Sequence, residues 1–224
     1  MKVNSRLKKY IEDNILVIYD SFDKGHGRKH IEDVIERSFN YYKDIKKEHQ
    51  LNEDMIYTIA CYHDIGMMVD RKYHFKHSKE ILLDDLNLKE FFSDEEISIM
   101  ADAVYSHSTA SPLEPSSIYG KIVCDADKDI NIDNGLLRAF EFTLKNNKDY
   151  LLHEHYEDMY REIVRRFAGS DIGGKNLIKF YISCQDNNEY VSLMRKYAYN
   201  KDEFFKKMDS LIKKYNLKWL YFFN

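Results

Sequence analysis

Chain breakers are scarce: the 224 residues include only 8 glycines and 2 prolines. So few turn-formers exclude the many tight turns of a β-sandwich or barrel and favour long helices. Cysteine is scarce as well. Cys61, Cys124 and Cys184 form an odd, widely spaced set with no C-x-x-C pair, so a disulfide framework is not expected and the thiols read as reduced and buried. No uncharged apolar run approaches the roughly 18 residues of a membrane span, and the opening MKVNSRLKKYIEDN has no apolar leader segment. No membrane partner is expected, and the chain reads as soluble and cytoplasmic. A basic surplus is also missing, with 38 acidic against 34 basic residues and a formal net charge of -4. That balance argues against a nucleic-acid partner, while leaving room for a local basic pocket that takes a small phosphorylated molecule.

The composition suits a soluble domain with a core, 44% hydrophobic and 32% charged. Apolar residues recur with helical period almost everywhere. Ile31, Val34, Ile35, Phe39, Tyr42 and Ile45 mark one helix; Leu51, Met55, Ile56, Ile59 and Ala60 mark the next, with Gly66 as a stop; Ile81, Leu82 and Leu86 suggest a third. Ser93 followed by Glu96 predicts a capping box opening a helix through Ile97, Met100, Ala103 and Val104. Pro112 and Pro115 lie in the loop before a helix through Ile118, Ile122, Val123 and Ala126. Further helices follow, with breaks expected near 169–174 and 186–188. No repeat, low-complexity tract or linker interrupts the pattern. The expected fold is all-α, one domain over 1–224, with its chemistry in 20–135 and a helical extension over 136–224. The apolar tail KWLYFFN is expected to pack on its own chain or on a second copy in a homodimer.

Ionisable residues sit on these apolar stripes. His30 precedes Val34 by four positions, His63 follows Ile59 by four and is followed by Asp64, His107 follows Ala103 by four, and Asp127 follows Val123 by four. Any one of them alone is explained by a core histidine bonded to a carbonyl, or by a helix-end aspartate acting as a cap. Together they would strand several polar groups in one interior, at a cost of several kcal/mol each unless satisfied. A divalent cation satisfies all of them at once, and imidazole with carboxylate suits Mn, Fe, Co, Ni or Zn, with Mg also open.

His30 in GHGRKHIEDV, His63-Asp64 in ACYHDIG and Asp127 in IVCDADKDI resemble, in order and context, the H…HD…D signature of the HD superfamily of metal-dependent phosphohydrolases. The likeness covers about residues 20 to 135 and is nearest to small bacterial single-domain HD hydrolases. It implies a compact all-α HD bundle with the metal at its centre, held by His30, His63, Asp64 and Asp127. Asp127, which shares a face with Val123, is preferred to Asp125 as the ligand, and Asp125 takes a supporting part. Binuclear members add two histidines, to which His74 (preferred to His77) and His107 correspond. One or two ions are therefore expected, with phosphate binding as the other role for His74 and His107.

The chemistry implied is attack by metal-activated water on a phosphomonoester or phosphoanhydride, with a nucleotide or related metabolite as substrate. Asp64 would orient or deprotonate the water, and Lys128 would stabilise the developing charge. Arg28, Arg71 and His26, with Lys29 and Lys72 behind them, are candidates for holding the substrate's phosphate. Tyr62, Tyr73, Phe75 and Tyr105 are available as walls for a base. His49, His153 and His155 read as surface residues. Two other classes fit the same residues: a di-iron oxygenase, which needs both His74 and His107 as ligands, and a non-catalytic ligand-binding module.

Overall fold

The computed structural model describes residues 2–23, 25–108 and 110–217. Among them are ten α-helices, four short 3-10 turns and no strand, the all-α class expected. No helix is long and apolar enough to cross a membrane. The tail KWLYFFN lies outside the described residues. The chain forms two compact units, Met1–Lys128 and Asp129–Asn224.

The first unit holds α1 (Ser5–Asn14), α2 (Arg28–Ile45), α3 (Glu53–Tyr62), α4 (His74–Asp84), α5 (Asp94–Ser106) and α6 (Ile118–Asp127). Helix α3 is its axis. Every residue from Met55 to Tyr62 is buried, so this helix is apolar all round, as a helix enclosed by others must be. Helices α2, α5 and α6 pack about it. On α2 the buried stripe runs through Ile31, Val34, Ser38, Phe39 and Tyr41. Tyr41 is inside where Tyr42 was expected; the Tyr42 hydroxyl instead donates to Leu51 O at 3.3 Å, which draws it to the helix edge. The Ser93–Glu96 capping box opens α5 as expected. Leu86 falls past α4, in the 3-10 turn Leu86–Glu90, and is exposed.

Gly66 does more than stop a helix. It sits in the 3-10 turn Ile65–Met68, against the first turn of α4. A Cβ at this position would lie 2.2 Å from His74 O and 2.5 Å from Ser78 N. The Gly66 amide donates to the buried Ser78 hydroxyl at 2.8 Å. The missing side chain is what lets α4 approach the end of α3.

The second unit contains α7 (Ile132–Asn146), α8 (Leu152–Phe167), α9 (Gln185–Tyr199) and α10 (Lys201–Lys214). Leu136, Phe140, Tyr156, Met159, Phe167, Met194, Phe204 and Leu211 build its core. Asp133 on α7 pairs with Lys207 and Lys214 of α10, at 2.5 and 2.7 Å. The break expected near 169–174 is present, but the chain stays non-helical up to Cys184, and 186–188 form the first turn of α9. His153 is exposed as expected, whereas His155 is buried between the rings of Phe140 and Tyr150. Residues two apart face different ways on a helix, so one of the two turned inward.

Gly66→Ala is expected to lower stability by about 3 kcal/mol, because the clash is with backbone and no flexible side chain can yield. Chemical denaturation with α-helical ellipticity as the readout checks this.

Candidate metal centre

Three helices of the first unit end at one place. His63 caps the C-terminus of α3, His107 caps that of α5, and Asp127 is the last residue of α6. The last carbonyls of a helix have no intrahelical donor. Two of the histidines use this: His63 Nδ1 bonds to Ala60 O at 2.8 Å and His107 Nδ1 to Val104 O at 2.6 Å. His74, opening α4, repeats the device on Arg71 O at 2.9 Å. A carbonyl only accepts, so each Nδ1 must carry the proton. Each Nε2 of a neutral ring is then left as a bare lone pair, which is the tautomer a metal ligand requires.

Those Nε2 atoms converge on carboxylates. His30 Nε2 lies 3.1 Å from Asp127 Oδ1 and 3.6 Å from Asp64 Oδ2. His63 Nε2 lies 3.5 Å from Asp64 Oδ2 and 3.6 Å from Asp127 Oδ1. On the other side of Asp64, Oδ1 faces His74 Nε2 at 3.4 Å and His107 Nε2 at 3.5 Å. Two ligand groups result: His30, His63, Asp64 and Asp127; and Asp64, His74 and His107, the ligand atoms of each lying within 4.8 Å of one another. Asp64 belongs to both, one oxygen to each.

The donor set fits a divalent cation. The Nε2 atoms of His30, His63 and His107 are buried without a hydrogen-bond partner. Most of the separations between lone pair and carboxylate exceed hydrogen-bond length, so protons bridge them poorly. Three helix C-termini add partial negative charge that also favours a cation. His30 and Asp127 are the partly exposed members, with side-chain exposures of 12% and 30% against 0% for His63, so the site opens to solvent on their side. Without metal, burial opposes charge on His63, but the carboxylates of Asp64 and Asp127 outweigh it and raise its pKa to about 10. Burial likewise opposes the charge on Asp64 and Asp127, yet the facing imidazoles hold both carboxyls below their usual range. His74 is lowered by burial and by the neighbouring His107.

The other expected residues divide. His77 faces Glu80 at 2.9 Å and belongs to neither group. His26, whose ring meets that of His30 at 5.9 Å, and Arg71 share Asp23 as a partner, at 3.0 and 2.7 Å. They form a polar rim beside the centre. Arg28 is held by Asp20, through Nε at 2.6 Å and Nη2 at 3.1 Å, and Lys29 by Asp33. Lys72 lies over the Tyr73 ring. The Lys128 ammonium is bonded to Asp125 Oδ1 at 2.8 Å, Cys124 O at 3.0 Å and Cys124 Sγ at 3.4 Å. Asp125 is fully buried, in keeping with a supporting part. Of the aromatic candidates, Phe75 meets the His74 ring edge-to-face, and Tyr105 meets Phe75 in the same way. Tyr62 is buried and donates to Asp85. Cys61 and Cys124 are buried, Cys184 half-buried, and no disulfide joins them.

Sequence reasoning missed Asp23, which gathers His26 and Arg71, and Arg37, whose Nε donates to Ala126 O at 2.6 Å beside Asp127. Neither has a local signature; their parts come from residues far along the chain.

The HD-domain family model matches residues 27–132, the stretch that supplies every member of both ligand groups. This stretch is an HD domain. The HD domain is that of a metal-dependent hydrolase superfamily, and here it comprises α2 to α6 with the loops between them. No curated protein and no solved structure matches the chain significantly.

Metal must displace a proton from His63. In metal-free protein the His63 interaction stabilises the fold fully below pH 6.5 and is lost as pH rises through about 10. The contribution of Asp127 is present above about pH 3.8 and is lost as pH falls below it. Thermal stability in chelator should therefore decline from pH 6.5 to 10, while affinity for Mn²⁺ should rise by about tenfold per pH unit from 7 to 9. Calorimetric titration in two buffers of different ionisation enthalpy reads the released proton.

Proposed function

We propose that the chain hydrolyses a phosphomonoester or phosphoanhydride, with a nucleotide or related phosphorylated metabolite as substrate. The observation supporting this best is the sharing of Asp64, whose two oxygens face separate imidazole sets. In this reading His30, His63, Asp64 and Asp127 hold one divalent ion, and Asp64, His74 and His107 a second. The predominance of imidazole favours Mn, Fe, Co, Ni or Zn over Mg. Such ions supply a water acidified to near neutrality and a Lewis acid for the phosphoryl oxygen.

The residues of the chain divide the remaining work. Asp64 keeps the two groups in register and is the carboxylate suited to orient the attacking water. Arg71 and His26, fixed by Asp23 at the rim, bind phosphate oxygens; Arg28 does so only by exchanging Asp20 for the substrate. Phe75 and Tyr105 flank the His74 side, where a base can pack. Lys128 acts through α6: three protein acceptors occupy its ammonium, so it holds the helix end that presents Asp127 and does not meet the substrate.

A di-iron oxygenase is the second reading, favoured by the presence of both His74 and His107 in one ligand group. Iron content after purification without added metal, together with oxygen consumption, separates the two. Ligand-induced thermal shifts without turnover would instead mark a binding module.

Screening phosphorylated metabolites with Mn, Fe, Co, Ni and Mg is expected to reveal phosphate release. His63→Ala and Asp127→Ala should each lose metal retention and lower turnover by at least about 10³-fold, with ellipticity kept. Full activity in either variant would refute the assignment. Lys128→Met should cost about 3 kcal/mol of stability, since the buried Asp125 carboxylate loses its cation. A raised KM at unchanged stability would return Lys128 to the substrate.

A further inference from the structure

Tyr19 lies in the 3-10 turn Leu16–Ser21, outside the stretch matched by the HD family model, and is fully buried. Its hydroxyl donates to Cys61 O at 2.8 Å. Cys61 O and Ala60 O are adjacent carbonyls in the last turn of α3, where intrahelical donors have run out. The imidazole of His63 closes one and the phenol of Tyr19 closes the other. Between them the chain leaves the helix and turns into Asp64, at φ -107°, ψ 3°. One hydroxyl thus ties down the last helical turn from which the His63–Asp64 pair departs.

Asp64 can place one oxygen in each ligand group only if its backbone is held at one angle. Four residues make the first group but three make the second, so misplacing Asp64 removes a quarter of one set and a third of the other. We propose that Tyr19 is a positioning residue for Asp64, and that its hydroxyl decides whether the centre takes a second ion. The inference rests on the two-ion reading above. Phenylalanine fills the space of tyrosine without the hydroxyl, leaving Cys61 O with no donor and the turn free to shift.

The experiment is a Mn²⁺ titration of the full chain, followed by electron paramagnetic resonance, on wild type, Tyr19→Phe and Tyr62→Phe. Tyr62 is a second buried tyrosine of the same unit whose hydroxyl bonds to Asp85, so its variant reports the loss of a buried hydroxyl as such. Wild type and Tyr62→Phe are expected to bind two Mn²⁺ with a spin-coupled spectrum. Tyr19→Phe should bind the second ion at least about tenfold more weakly, with the spectrum of isolated Mn²⁺. An unchanged second affinity and a coupled spectrum in Tyr19→Phe overturn the role of Tyr19 and leave the centre standing. An equal loss in Tyr62→Phe also overturns it, by showing a general effect of destabilisation. No binding by wild type overturns both. If Tyr19→Phe does not fold, Phe22→Leu, which loosens the ring packed on Tyr19 at 5.1 Å, should weaken the second ion while keeping the first; an unaltered second ion there counts against the proposal.

Discussion

A buried carboxylate faces four imidazoles across distances too long for good hydrogen bonds: Asp64 with His30 and His63 on one oxygen, His74 and His107 on the other. Each of three rings donates its Nδ1–H to a carbonyl three residues earlier. What remains is a buried array of Nε2 atoms and carboxylates, a combination that is unfavourable unless positive charge, a proton on His63 or a cation, offsets it. The first unit is organised around that constraint. Three helices end at the array, a fourth begins beside it, and α3 is wrapped by its neighbours so that its last turn can carry the pair of residues at the centre.

The positioning is indirect and comes from several directions. Tyr19 and His63 close adjacent carbonyls of α3, Arg37 and Lys128 close those of α6, and Gly66 removes a side chain so that α4 can bring His74 close. Tyr19, Arg37, Lys128 and Gly66, which belong to neither group of candidate ligands, thus help set where the His and Asp side chains stand. The rim is arranged differently, with His26 and Arg71 sharing one aspartate near the solvent side.

Much of the first unit was legible in the residues. His30, His63, His107 and Asp127 stood on apolar stripes with Asp64 beside His63, so periodicity pointed to one interior and the likeness to HD proteins implied the ligand set; the Ser93–Glu96 cap and the loop of Pro112 and Pro115 were equally plain. Other features were not. The enclosure of α3 on all sides blurs amphipathicity, since a helix buried all round has no polar face to give its phase. His155 looked like half of an exposed pair and is buried, because the placement of α8 against α7 decides which of two alternating positions turns inward. The stretch between α8 and Cys184 has no proline, and its glycines, Gly169, Gly173 and Gly174, all fall at its start, so nothing local announces its length.

Local sequence determined the helices, their caps and the residue types able to bind a cation, because those depend on short-range sterics, capping and the 3.6-residue period. The choice of His74 over His77, the division of Asp64 between two groups and the engagement of Lys128 by its own helix were decided only by tertiary structure. Each turns on where side chains stand to within an ångström, and that is set by packing between segments far apart in the chain, which no local pattern encodes.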